Sequence, residues 1–197
     1  MKMIRSFIAF DLEDKDTKEN IQKFTNRLKQ NQPRIKLVEP ENLHITVKFL
    51  GDIPDHMAPK IYKILQEKVN DEYFKDNFYK YELRGVGEFR KYSVIWISMQ
   101  GDTQVLQEIK DIIEFELKKE LGIKKDKRKK LTPHLTIARL KSKRIDYNTF
   151  SSFKNLINKN KDTSFGNFTI DEIKLKKSVL TPKGPIYSNF TEDGFKD

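Results

Sequence analysis

The chain has 197 residues, 37% apolar and 35% charged, and a net charge of +10. That length suits one domain, or two small lobes, with a proper core beneath a heavily solvated surface. No run approaches the roughly 18 to 20 consecutive apolar residues of a membrane span, and the lack of cysteine excludes disulfides, thiol nucleophiles and cysteine-held zinc or iron–sulfur sites. The opening MKMIRSFIAF is too short and too quickly acidic for a secretory signal, so a cytoplasmic location is expected. The positive charge favours polyanionic partners such as RNA or DNA, although a generally lysine-rich composition gives the same balance.

In chain order, SFIAFDL (6–12) is apolar and β-prone, and the segment 13–30 places Ile21, Phe24 and Leu28 on one helical face. Acidic residues crowd the start of that helix and basic ones its end, as the helix dipole favours. IKLV (35–38) and HITVKFLG (44–51) follow as strands, the second strongly alternating. The segment 52–69 reads as a loop feeding a helix, with Ile61, Ile64, Leu65 and Val69 turned inward. FYKYELRGVGEF (78–89) and SVIWISMQ (93–100) read as strands around a turn at Arg90-Lys91. A helix over 101–122 is apolar at Leu106, Ile109, Ile113 and Leu117 and stops at Gly122. HLTIARL (134–140) is a strand and 147–159 a shorter helix; strands at 168–180 and 185–195 flank a turn at Thr181-Pro182-Lys183-Gly184.

Two halves of the chain repeat. Strand, acidic turn, helix, proline and His44-x-Thr46 correspond to strand, Gly-Asp turn, helix, proline and His134-x-Thr136. Phe7 precedes His44 by 37 residues, and Ile95 precedes His134 by 39. The expected architecture is α+β: two pseudo-symmetric lobes, each offering one histidine to a shared cleft. No linker composition separates the repeat units (about 6–51 and 93–140), so residues 1–197 read as a single domain of two tightly packed lobes.

Two of only three histidines occupy these matching frames. Alternate strand residues share a face, so His44, Thr46 and Lys48 point one way, as do His134 and Thr136. Each frame sets an imidazole and a hydroxyl about 6 to 7 Å apart, away from the apolar side. Paired imidazoles suit phosphodiester cleavage: a neutral one takes a proton from water while a protonated one donates to the leaving oxygen. Thr46 and Thr136 can hydrogen-bond the non-bridging oxygens as charge builds. Two histidines could also hold zinc, but neither frame supplies a third ligand, so no metal and no cofactor are expected. His56, in an exposed-looking loop, reads as a surface residue. A lone His-x-Thr means little; two copies in repeated halves mean more.

The chain resembles the 2H phosphoesterase superfamily, specifically the RNA 2′,3′-cyclic phosphodiesterases once called 2′-5′ RNA ligases. The resemblance runs through RSFIAFDL, ENLHITVKFLGDI, LTPHLTIAR and SVLTPKGPIYSNF and covers nearly the whole chain. It implies antiparallel sheets lining the central cleft, with helices packed outside. It also implies hydrolysis of a 2′,3′-cyclic phosphate RNA end to a 2′-phosphomonoester, with reversible 2′-5′ joining of tRNA halves in some members. By the same resemblance His44 is the proton donor, His134 the proton acceptor, and Thr46 and Thr136 hold the phosphate. Spacing alone leaves the acid and base labels open. Competing readings are a 2′-5′ RNA ligase, an enzyme for small cyclic nucleotides or 2′-5′ oligonucleotides, and a non-catalytic RNA-binding module. The partner expected is RNA with a cyclic phosphate end, with neither a membrane nor an obligate protein partner; a monomer is expected.

Further cations lie near the motifs. Alternation puts Lys48 on the histidine face and Arg139 on the opposite face, which favours Lys48 as a site residue. The run KKDKRKK (124–130) either steers RNA phosphates or is a solvated loop, and the sequence does not separate these. Tyr187 and other aromatics could stack a base, without a pattern that selects one.

Overall fold

The computed structural model describes residues 2–182 and 184–195. β1 (Met3–Asp11) leads into α1 (Lys15–Asn31), whose first turn is capped by Asp14 accepting from the Thr17 N–H at 2.7 Å. Ile21, Phe24 and Leu28 are buried along its inner side. After β2 (Lys36–Leu37) comes β3 (His44–Pro54), which absorbs Asp52, Ile53 and Pro54 from the stretch expected to be loop. α2 (Ala58–Leu65) continues as a nine-residue π-helical segment, Gln66–Phe74. Hairpin β4 (Tyr79–Phe89) and β5 (Val94–Gln100) precede α3 (Thr103–Leu121), capped by Asp102 and closed by Gly122 at φ 67°. There the left-handed conformation is one glycine adopts without a Cβ clash. β6 (His134–Arg139) and α4 (Tyr147–Lys159) follow.

The expected strand over 168–180 is two strands, β7 (Ser164–Ile170) and β8 (Lys174–Leu180). Between them the Asn70 side chain takes the place of a strand partner, donating to Ile173 O at 3.2 Å and accepting from Ile173 N at 2.9 Å. The chain there crosses from one end of the sheet to the other lobe. β9 (Pro185–Thr191) and the short β10 (Gly194–Phe195) complete the sheet. In the turn at 181–184, Thr181 and Gly184 exchange backbone hydrogen bonds, while Lys183 lies outside the described residues.

The strands form one antiparallel sheet in the order β10-β9-β8-β1-β3-β6-β5-β4-β7, with β2 beside β6. The two lobes are thus half-sheets joined edge to edge. Their seam is a single residue pair between β3 and β6, Ile45↔Leu135. About that seam the pairing repeats: Ala9↔Thr46 and Asp11↔His44 on one side match Trp96↔Thr136 and Ser98↔His134 on the other. Ile45, Val47, Leu135 and Ile137 point to the apolar face, in one core with Leu28, Leu106, Ile113 and Leu117 of the helices. The histidines occupy the other face, toward the cleft. Among the described residues no helix is long and apolar enough to cross a membrane.

Candidate active site

The seam gathers both frames. With Ile45 opposite Leu135 in antiparallel register, His44 lies across from Thr136 and Thr46 across from His134. Residues two apart on a strand are about 7 Å apart and cross-strand neighbours about 5 Å. Two imidazoles and two hydroxyls are therefore gathered about one seam, all half-buried and on the face opposite the core. His56 is exposed, in a short helical turn following β3.

Each imidazole is held in the same way. His44 Nδ1 lies 2.7 Å from Asn42 O, and His134 Nδ1 lies 2.7 Å from Thr132 O. A carbonyl oxygen only accepts, so each Nδ1 carries a hydrogen and each Nε2 is left to exchange a proton. The surroundings differ. His44 packs at 4.8 Å from the Phe7 ring and 5.3 Å from Tyr187. His134 packs edge-on to Phe89 at 5.2 Å and lies 6.0 Å from Trp96. Burial pushes the His44 pKa below its ordinary value, against the Asn42 carbonyl, which raises it; Lys176 and Arg139 add to the lowering and Asp11 opposes it.

Strict alternation fails just beyond each frame. The β1–β3 ladder passes from Ala9↔Thr46 to Ile8↔Lys48, and the β5–β6 ladder from Trp96↔Thr136 to Ile95↔Ala138. Val47 and Ile137 are each an extra residue, a β-bulge at the third position after each histidine. Each bulge moves the following residues to the other face. Lys48 is consequently buried, 1% exposed, with Nζ 2.8 Å from Asp126 and 3.3 Å from Glu114. It is not the cleft cation that alternation implies. Arg139 is exposed on the histidine face, and its charge acts on both His44 and Tyr187. The preference for Lys48 over Arg139 is therefore reversed.

The cleft face also carries residues that the sequence reading did not single out. Lys176, buried at 5% exposure, stands opposite Phe7 across the β1–β8 ladder; its Nζ lies 2.6 Å from Asp11 Oδ1 and 2.7 Å from Asn189 Oδ1. Phe49, beyond the bulge in β3, is 70% exposed with its ring 6.3 Å from Phe7. A cavity of about 610 Å³ borders Asp11 and is lined by Glu13, Asp14, Lys80, Asp171, Glu172 and Lys174, among others. Carboxylates outnumber amines there, the wrong balance for a phosphate chain. Among the described residues no group of three or more His, Asp or Glu side chains is arranged to hold a metal ion.

Residues 6–191 match the family described as the AKAP7 2′5′ RNA ligase-like domain. The RNA 2′,3′-cyclic phosphodiesterase of Methanocaldococcus jannaschii is 40% identical over 194 residues, covering 96% of this chain and 99% of the relative. Among solved structures, one titled simply a phosphoesterase superposes with a TM-score of 0.70 at 17% identity, covering 96% of this chain and 97% of that one. E. coli LigT in apo form gives a TM-score of 0.66 at 16% identity, covering 97% and 96% respectively. A ten-stranded antiparallel sheet with paired His-x-Thr frames at its seam defines a 2H phosphoesterase fold. The chain belongs to the 2′5′ RNA ligase-like family within that class.

Proposed function

We propose that the protein hydrolyses RNA 2′,3′-cyclic phosphate ends to 2′-phosphomonoesters, without a metal, by acid–base catalysis between His44 and His134. The observation that carries this reading is the matched pair of imidazoles. Both are locked through Nδ1 to the carbonyl two residues upstream and flank one seam, with Nε2 free to exchange a proton. His134 Nε2 takes a proton from the attacking water as its oxygen bonds to phosphorus. The bond from phosphorus to the 3′-oxygen breaks, and His44 Nε2–H gives that oxygen its proton. The products are a 2′-phosphate and a free 3′-hydroxyl. Which histidine plays which part follows the family resemblance.

Thr46 and Thr136 donate to the non-bridging oxygens as the pentacoordinate state gathers charge. Arg139 adds a fixed positive charge on the same face. His44 enters the cycle with a depressed pKa, so the bound anion itself helps to load it with the proton it donates. A 5′-hydroxyl in place of water would be joined in a 2′-5′ bond with the same two roles, and the near symmetry about the seam allows the histidines to exchange them for the reverse cleavage of that bond. The test is incubation in EDTA with a short RNA ending in a 2′,3′-cyclic phosphate, with phosphorus NMR of the product. A 2′-phosphomonoester is expected. A 3′-phosphate, or abolition of turnover by EDTA, overturns the reading.

A further inference from the structure

The single acid in the run 124–130 decides what the run can do. Asp126 turns inward: its carboxylate lies 2.8 Å from Lys48 Nζ, and its backbone N–H donates to Glu114 Oε1 at 2.9 Å. Lys48 Nζ also donates to the Lys124 carbonyl at 3.1 Å, and Lys110 Nζ lies 2.8 Å from Glu114. Lys48, Lys110 and Glu114 are all buried, so this charge cluster is a fixed anchor. A second anchor stands at the other end. The Gln107 amide donates to Lys129 O at 3.2 Å and accepts from Leu131 N at 2.7 Å. The segment is therefore a strap held at two points.

With Asp126 withdrawn, the outer surface of the strap is cationic alone. Lys124, Lys127, Arg128, Lys129 and Lys130 are exposed, and among the described residues none of them has a carboxylate within ion-pair distance. The anchor also fixes where that charge lies. Lys130 is four residues upstream of His134, within about 14 Å of chain. The strap runs along α3 and leads directly into β6, so its last cations lie nearest His134.

We propose that the strap 124–130 binds the phosphate backbone of the RNA nucleotides leading to the cyclic end, so that the enzyme prefers RNA chains to mononucleotides. The inference rests on the proposed function only for its account of what enters the seam. A flexible run of lysines would attract any polyanion diffusely, whereas a pinned one presents its charges at a set place beside the reacting phosphate.

Two variants test it by fluorescence anisotropy with a labelled decanucleotide RNA, below the onset of thermal unfolding. In the first, Lys127, Arg128, Lys129 and Lys130 are each changed to Ser. Affinity should fall about tenfold or more, and the slope of log affinity against log salt should flatten by about 0.7 per lost contact. An unchanged affinity and slope overturn the proposal. The second is Asp126→Asn, which makes the protein more positive while loosening the anchor. Weaker binding is expected, and tighter binding overturns the pinned strap in favour of diffuse attraction. Turnover of cytidine 2′,3′-cyclic monophosphate by the unaltered protein separately tests the function of the seam, because that substrate has no backbone to reach the strap.

Discussion

His44 and His134 share one hydrogen-bonding arrangement but not one environment, and the difference has consequences for pH dependence. Burial first, then Lys176 and Arg139, depress the His44 pKa. On the proposed roles His44 is the donor and must be protonated, so kcat/KM, which reports the free enzyme, should fall as pH rises through a value below about 6.5. The bound cyclic phosphate is an anion and favours the imidazolium, so the corresponding limb of kcat should lie at higher pH. Lys176→Met removes a cation that lowers the His44 pKa and leaves Asp11, which raises it, with Lys174 as its remaining ion-pair partner, so the His44 pKa should rise. The alkaline limb of kcat/KM should then move up, whereas a merely structural loss would lower the rate without moving the limb. Thr46→Val and Thr136→Val keep shape and remove a donor. Each should lower kcat by about 10- to 10³-fold if its hydroxyl meets the charged transition state.

At the scale of the strands, the two bulges decide which neighbours of the histidines reach the cleft. Lys48→Ala leaves Glu114 with Lys110 as its remaining cation and Asp126 without its nearest one, which costs up to about 3 to 5 kcal/mol, the value for a buried charge left wholly unpaired. For a chain of this size the melting temperature should fall by up to roughly 6 to 20 °C. Arg139→Ala should do the opposite, lowering kcat/KM on a cyclic phosphate with little change in melting temperature. Calorimetry and turnover on the two variants separate the roles that alternation would have assigned the other way round. The His-x-Thr frames were legible in the sequence because both residues lie on one strand, two positions apart, where the side-chain period is local. The bulges were not. Val47-Lys48 and Ile137-Ala138 contain no glycine or other marker of an inserted residue, and the bulge exists only in register with β1 and β5. Lys176 and Asp11 were hidden for the same reason, since they meet across strands 165 residues apart in sequence.

For the whole molecule, the repeat of strand, helix and His-x-Thr frame was legible along the chain, but the way the strands interlock was not. The sheet order puts β8 and β9, the late strands, against β1 of the first lobe. The polypeptide therefore returns from the second lobe to complete the first. Phe7 and Ile8 on β1 are buried, and β8 is their second neighbour strand. A chain ending after Ile170 leaves β1 as an open edge and should show no cooperative thermal transition by near-ultraviolet circular dichroism. A sharp transition in that fragment would contradict the interlocked arrangement. The basic run was legible as charge, yet its one acid read as a mere interruption. Only the folded chain brings Asp126 to Lys48, 78 residues away in sequence.

The central claim is that two imidazoles at one seam carry the chemistry. The most direct measurement is single-turnover hydrolysis of an RNA 2′,3′-cyclic phosphate in EDTA by the unaltered protein and by His44→Ala, His134→Ala and His56→Ala. Each seam variant should lose about 10²- to 10⁴-fold in rate, while His56→Ala keeps the rate of the unaltered protein. Near-normal hydrolysis by either seam variant, or a loss in His56→Ala as large as theirs, would contradict it.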